Sequence, residues 1–134
     1  MMAESDIHAN LVDRLTSWVA REYCLGSTAA ILVDRQGVIG PQRPPNIGGF
    51  VPDVYLAASA HRVIGEAKTS RDIETSHSES QLMAFLQYCG TTKGLFVLAV
   101  PWYRVPYAHN LLQRMCNRMC LSVRTFRILR DLPG

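Results

Sequence analysis

The chain lacks most of the features that would assign it to an extreme class. No apolar run approaches the roughly 20 residues needed to cross a bilayer. The longest, residues 94–103, is broken by Pro101. The opening MMAESDIHAN has neither the basic nor the apolar region of a secretory signal, so an intracellular, cytoplasmic protein is expected. There are four cysteines, Cys24, Cys89, Cys116 and Cys120, and no CxxC pair. Further Cys or His ligands at finger-like spacing are missing, which leaves reduced thiols placed mostly in a core rather than a zinc site. GTTKG at 90–94 is not a phosphate-binding GxxxxGK[ST] loop, so nucleoside triphosphate binding has no support. Internal repeats and low-complexity segments are absent too.

At 134 residues the chain suits one domain, 1–134, around one core. Hydrophobic residues make up 48% and charged residues 19%, which excludes disorder. The formal charge of +3 is modest but unevenly spread. From residue 104 onward acids are nearly gone: six arginines (Arg104, Arg114, Arg118, Arg124, Arg127, Arg130) face one acid, Asp131. Such a segment fits phosphate contacts, and it equally fits a solvated basic face.

Helical spacing of Ile7, Leu11, Leu15, Trp18 and Val19 predicts a helix over 6–24, ended by Gly26. A short apolar run predicts a strand over 28–34. Residues 36–49, rich in glycine and proline, read as an exposed loop. Two strands follow, 50–57 and 61–69, close enough for a hairpin. The polar stretch 70–80 reads as a loop. Residues 81–89 read as a helix with Leu82, Phe85, Leu86 and Cys89 on one face and Gly90 as its cap. Residues 95–100 form an uninterrupted apolar strand, 106–120 a helix with Pro106 near its start, and 122–129 a partly exposed strand. The expected fold is α/β, in the order helix, three strands, helix, strand, helix, strand. A mixed central sheet of about five strands would carry helices on both faces.

Three charged residues sit awkwardly in this scheme. Pro52-Asp53 interrupts the first hairpin strand, and Glu66 and Lys68 interrupt the second. Residues two apart on a strand share a face, so Glu66 and Lys68 project together while Ala67 points away with Gly65 and Val63. Hairpin pairing can bring Asp53 alongside. Two carboxylates and an ammonium then gather at one place on the sheet, where unpartnered burial would be costly. Salt bridges could compensate. A divalent cation compensates two adjacent acids better, because Mg²⁺ prefers carboxylate oxygens and keeps several waters, one of which could attack a phosphodiester.

The pattern Pro52-Asp53 … Glu66-Ala67-Lys68, together with the order of elements across essentially the whole chain, resembles the PD-(D/E)xK nuclease superfamily, which includes restriction endonucleases and Holliday-junction resolvases. The resemblance implies a restriction-endonuclease-like fold and a Mg²⁺- or Mn²⁺-dependent nuclease acting on DNA, probed first as an endonuclease. Asp53 and Glu66 would hold the metal with the Ala67 carbonyl, and Lys68 would assist the attacking water. A homodimer, or membership of a larger nuclease assembly, is also implied. The alternatives are a non-catalytic nucleic-acid- or protein-binding module on the same fold, and a ribonuclease.

Many members of that superfamily add an acid from the first helix. Glu22 lies on the apolar side of the wheel with Leu11, Leu15 and Trp18, so it either joins such a site or is solvated where the helix frays. Glu4 shares its angle and is the weaker candidate, since it would precede the helix. Some members carry a glutamine after the lysine strand. Gln81 stands there, with Phe85 where the RecB-like pattern has tyrosine, and it serves equally well as a simple helix-start residue. His61 and His77 read as solvated surface histidines. Trp102–Tyr107, WYRVPY, could stack bases or cap the sheet. Arg43, Arg71 and Arg104 fall on loops around the strand ends, either as phosphate contacts or as ordinary surface arginines.

Overall fold

In a computed structural model of the chain, which describes residues 3–35, 37–38, 40–58 and 60–130, the elements follow the expected order. They are α1 (Glu4–Tyr23), β1 (Leu32–Val33), β2 (Val54–Ala58), β3 (His61–Ala67), α2 (Ser76–Thr92), β4 (Leu95–Val100), α3 (Val105–Arg118) and β5 (Phe126–Arg130). The five strands lie side by side in chain order in one sheet. β1–β2 and β2–β3 pair antiparallel, while β3–β4 and β4–β5 pair parallel, because α2 and α3 cross over between them. β3 is therefore the middle strand.

Both faces of the sheet are covered, so β3 and β4 are apolar on both sides. On one face α1 lays Leu11, Leu15 and Val19 over Val54, Leu56, Val63, Val97 and Ala99. On the other, Leu82, Phe85 and Leu86 of α2 and Leu112 of α3 pack against Ile64, Phe96, Leu98 and Val100. α1 runs antiparallel to β3. Glu4, at its start, bonds Thr69 beyond the end of β3, and Tyr23, at its last turn, stacks on His61 at the beginning of β3 with ring centroids 4.8 Å apart. Gly65 lets the helix come this close. A Cβ there would lie 2.7 Å from Leu15 Cδ2 and about as tightly against the rest of that isobutyl group.

Several boundaries differ from the sequence expectations. Only Leu32–Val33 of the 28–34 run pairs with β2, since Ile31 N–H closes a turn on the Thr28 carbonyl. α2 starts at Ser76, inside the stretch read as loop. Thr75 caps it by accepting from Ser78 N–H at 3.0 Å, and the first turn is so exposed that no apolar period marks it. Gly90 is not the cap of α2 but an interior residue, where a Cβ would lie 2.5 Å from Leu121 Cδ2. The left-handed cap position falls to Lys93, at φ 57°. The segment 122–129 begins as a 3-10 turn, Val123–Thr125, before β5.

Gly65 supplies a direct test of this packing. Gly65→Val must displace Leu15 and lift α1 from β3, and should cost about 2 kcal/mol, read as a lower urea midpoint at unchanged slope. Gly65→Ala, which adds the Cβ alone, should cost less than Gly65→Val.

Candidate active site

The end of β3 nearest Ala67 lies between the N-termini of α1 and α2. Val54 pairs with Gly65, so the next residues outward, Asp53 and Glu66, face each other across the two strands. Each takes a backbone N–H from the other's strand. Asp53 N–H donates to Glu66 Oε1 at 3.0 Å, and Ala67 N–H donates to Asp53 Oδ2 at 2.8 Å. Side chains thus replace the ladder at the place where Pro52 has no N–H to offer. Lys68 lies on the same face as Glu66, with Nζ 3.5 Å from Glu66 Oε2, and it also donates to Gln81 Oε1 from the second turn of α2. Glu66 is 4% and Lys68 5% exposed. The expected convergence of Asp53, Glu66 and Lys68, with Gln81 beside them, is what the tertiary structure contains.

Electrostatics in this cluster are unbalanced. Burial lifts the Glu66 carboxyl well above its ordinary range, the Asp53 charge lifts it further, and Lys68 pulls the other way. Two acids thus stand against one ammonium, and burial is the main force opposing the Glu66 charge.

Two residues of α1 complete the surroundings. His8 Nε2 lies 3.2 Å from Asp53 Oδ2, and this contact raises the imidazole pKa against the opposing effect of burial. Glu4, one turn earlier, accepts a hydrogen bond from the buried Thr69 hydroxyl. Glu22, the expected helix acid, is not at the site. It is exposed and neighbours Tyr23, at the His61 end of β3, about 27 Å along the helix from Glu4. The correction follows from the direction of α1. Glu4 belongs to the helix rather than preceding it, and it is the acid delivered to the site end. His8 escaped the sequence reading, yet a signal was available. Glu4, His8, Leu11, Leu15 and Trp18 fall on one helical stripe, so the two polar members occupy positions whose successors are buried.

The arginines divide. Arg43 Nε is bonded to Asp34 Oδ1 at 3.1 Å, and Asp34 N–H in turn donates to the Asp53 carbonyl. Arg71 is exposed on the segment after β3. Arg104 is largely committed within the fold: Nη2 lies 2.9 Å from Glu74 Oε1, and the guanidinium sits 4.5 Å from the Tyr107 ring centroid. Its Nε is buried without a hydrogen-bond partner among the described residues. His61 is exposed at the far end of β3, and His77 is exposed in the first turn of α2 with its ring against Phe50.

The donor set fits a hard divalent cation. Among the described residues no three His, Cys, Asp or Glu side chains form a ready-made cage, but Mg²⁺ ordinarily takes only one or two carboxylates and completes its shell with water and substrate oxygens. Asp53 and Glu66 supply two. Backbone geometry supplies more. Ala67 N–H points toward β2 and Lys68 N–H toward β4, where it donates to the Ala99 carbonyl. The carbonyl of each residue points the same way as its N–H. Ala67 C=O therefore points to the β2 side and Lys68 C=O to the β4 side. The residues just outside those strands there, Pro52 before β2 and Pro101 after β4, have no N–H to offer.

No protein-family model matches the chain, and no match was found among curated proteins or solved structures. The chain has an α/β fold with a five-stranded mixed sheet flanked by helices. Among the described residues, no helix is long and apolar enough to cross a membrane.

The raised Glu66 carboxyl has a consequence for stability. Below its ordinary pKa of 4.5 both folded and unfolded chains are protonated there and Glu66 costs nothing. As pH rises past that value the unfolded chain ionises first, so stability is lost until the raised folded value is passed. Glu66→Gln, which cannot ionise, should therefore gain stability relative to the parent as pH rises from about 4 to 7, read as a widening difference in Tm of the metal-free protein. The gain should vanish toward pH 4. A gain independent of pH would show that Glu66 is not held against its charge.

Proposed function

We propose that the protein is a metal-dependent nuclease of the PD-(D/E)xK type, with a restriction-endonuclease-like fold, hydrolysing phosphodiester bonds in DNA. The observation that carries this is the reciprocal Asp53–Glu66 clamp with a buried Lys68 beside it. Two facing acids with a single buried ammonium beside them are an expensive arrangement for a purely structural role. It suits a site that must hold a cation and a phosphate at once.

Mg²⁺ or Mn²⁺, held by Asp53, Glu66 and the Ala67 carbonyl, would supply charge neutralisation at the phosphate and a more acidic water. The chain's own groups do the rest. Gln81 fixes the Lys68 ammonium through its side-chain oxygen, leaving the remaining protons of Nζ to orient a water or meet a phosphate oxygen as charge develops there. Ala67 N–H and His8 hold Asp53 in place. Glu4 holds the Thr69 hydroxyl at the rim. Arg43 and Arg71 are the phosphate-positioning candidates, while Arg104 is better described as a brace. A homodimer or a larger assembly would bring a second site to the second strand of a duplex.

Cleavage of supercoiled plasmid tests this. Mg²⁺ or Mn²⁺ should support nicking that EDTA abolishes, and Asp53→Ala and Lys68→Ala should each lower the rate by about 100-fold or more. His8→Ala should lower it less, and Glu22→Gln should leave it unchanged. Metal-independent cleavage, or cleavage indifferent to Asp53→Ala and Lys68→Ala, would overturn the assignment. No cleavage of plasmid, branched DNA or RNA would favour a binding module.

A further inference from the structure

Directly beyond β4 the chain makes a 3-10 turn, Trp102–Arg104, before α3 begins. Lys68 lies opposite Val100 by continuation of the Ala67–Ala99 register. Trp102 is two residues further, so its backbone stands about 7 Å along the chain from the strand end that borders the candidate site. Trp102 is 49% and Tyr103 56% exposed, and their rings meet edge to face with centroids 5.6 Å apart. The other tryptophan, Trp18, is 8% exposed and is packed beneath Arg127.

The turn that presents these rings is braced on both sides. Pro101 beneath it is buried, and Arg104 N–H donates to the Pro101 carbonyl at 2.9 Å. The Arg104 side chain is clamped between Glu74 and Tyr107. Two large rings are thus held at the surface on a fixed support, the condition under which an aromatic surface binds without a large ordering cost.

Size decides what such a surface can hold. The other large apolar side chains exposed among the described residues, Leu25 and Val123, follow α1 and precede β5, at the opposite end of the sheet. The patch is therefore two side chains wide. A stable protein interface needs roughly 800 Å² on each partner, more than two aromatic residues expose. One flat ring does fit. Bases in a duplex have their faces covered, so the ring must belong to an unpaired nucleotide. A first turn of α3 without acids lies at the same end and suits an accompanying phosphate, while the exposed Arg71 there is followed by Asp72 and Glu74.

We propose that Trp102 and Tyr103 form a stacking platform for an unpaired nucleobase, so that the strand presented to the site is single-stranded or carries a single-stranded segment. Nucleic acid as the ligand rests on the nuclease reading, while the binding is measured without cleavage.

The test is titration of the full-length protein in EDTA with a dodecathymidylate and with a 12-base-pair duplex, following tryptophan fluorescence and anisotropy of labelled oligonucleotide. The single strand should quench the exposed Trp102 and bind at least ~10-fold more tightly than the duplex. Tyr103→Ala and Trp102→Leu should each weaken it by about 10-fold, while Trp102→Phe keeps most of the affinity. Equal affinity for the two oligonucleotides, or variants that bind as well as the parent, overturns the platform. A concentration-dependent dimer abolished by Trp102→Leu also overturns it, in favour of a protein contact. Because EDTA removes any need for cleavage, failure of plasmid nicking leaves this preference measurable, and loss of the platform leaves plasmid nicking intact.

Discussion

A carboxylate and an ammonium buried at the end of a central strand are the constraint around which this molecule is arranged. Glu66 and Lys68 stand where the surrounding sheet is apolar, and both are almost wholly buried. Every nearby polar group is turned toward this pair. Asp53 exchanges backbone donors with Glu66 across the hairpin, Gln81 takes the Lys68 ammonium, and His8 closes on Asp53. Even so Glu66 is held against its charge: burial first, and the Asp53 charge after it, raise its carboxyl against the pull of Lys68.

The rest of the fold keeps this cluster in place. Gly65 brings α1 down on β3 one residue before Glu66, which is what allows a helix on the opposite face of the sheet to send Glu4 and His8 around its end. Thr75 starts α2 early enough for Gln81 to fall in its second turn, one side chain away from Lys68. Pro52 before β2 and Pro101 after β4 offer no N–H on either side of β3. Charge, backbone and helix placement meet at the same strand end, which is also the end from which Trp102 and Tyr103 project.

Much of this was legible in the chain. Strand periodicity put Glu66 and Lys68 on one face, and the hairpin placed Asp53 opposite. The long apolar run at 95–100 marked an internal strand, and β4 spans those residues. Misses came where the local signal was weak or shared. The exposed first turn of α2 has no apolar period, so TSHSES looked like loop. Gly90 resembled a cap because glycine serves equally for a left-handed turn and for close packing, and only Leu121, from a different part of the chain, decides which.

The first helix shows the division most clearly. Glu4 and Glu22 are separated by 18 residues, five full turns, so they occupy the same angle on the helix and the same side of its apolar stripe. The sequence alone determined that this stripe would be buried and that Glu22 lay on it, while Glu4, at the same angle, fell just outside the helix expected over 6–24 and is inside α1. It could not determine which end meets Glu66. That depends on α1 lying antiparallel to β3, an outcome of side-chain packing over Gly65 between segments some fifty residues apart. Periodicity is a local property of the chain and can be read along it. The direction in which one element crosses another is set only when both are folded together.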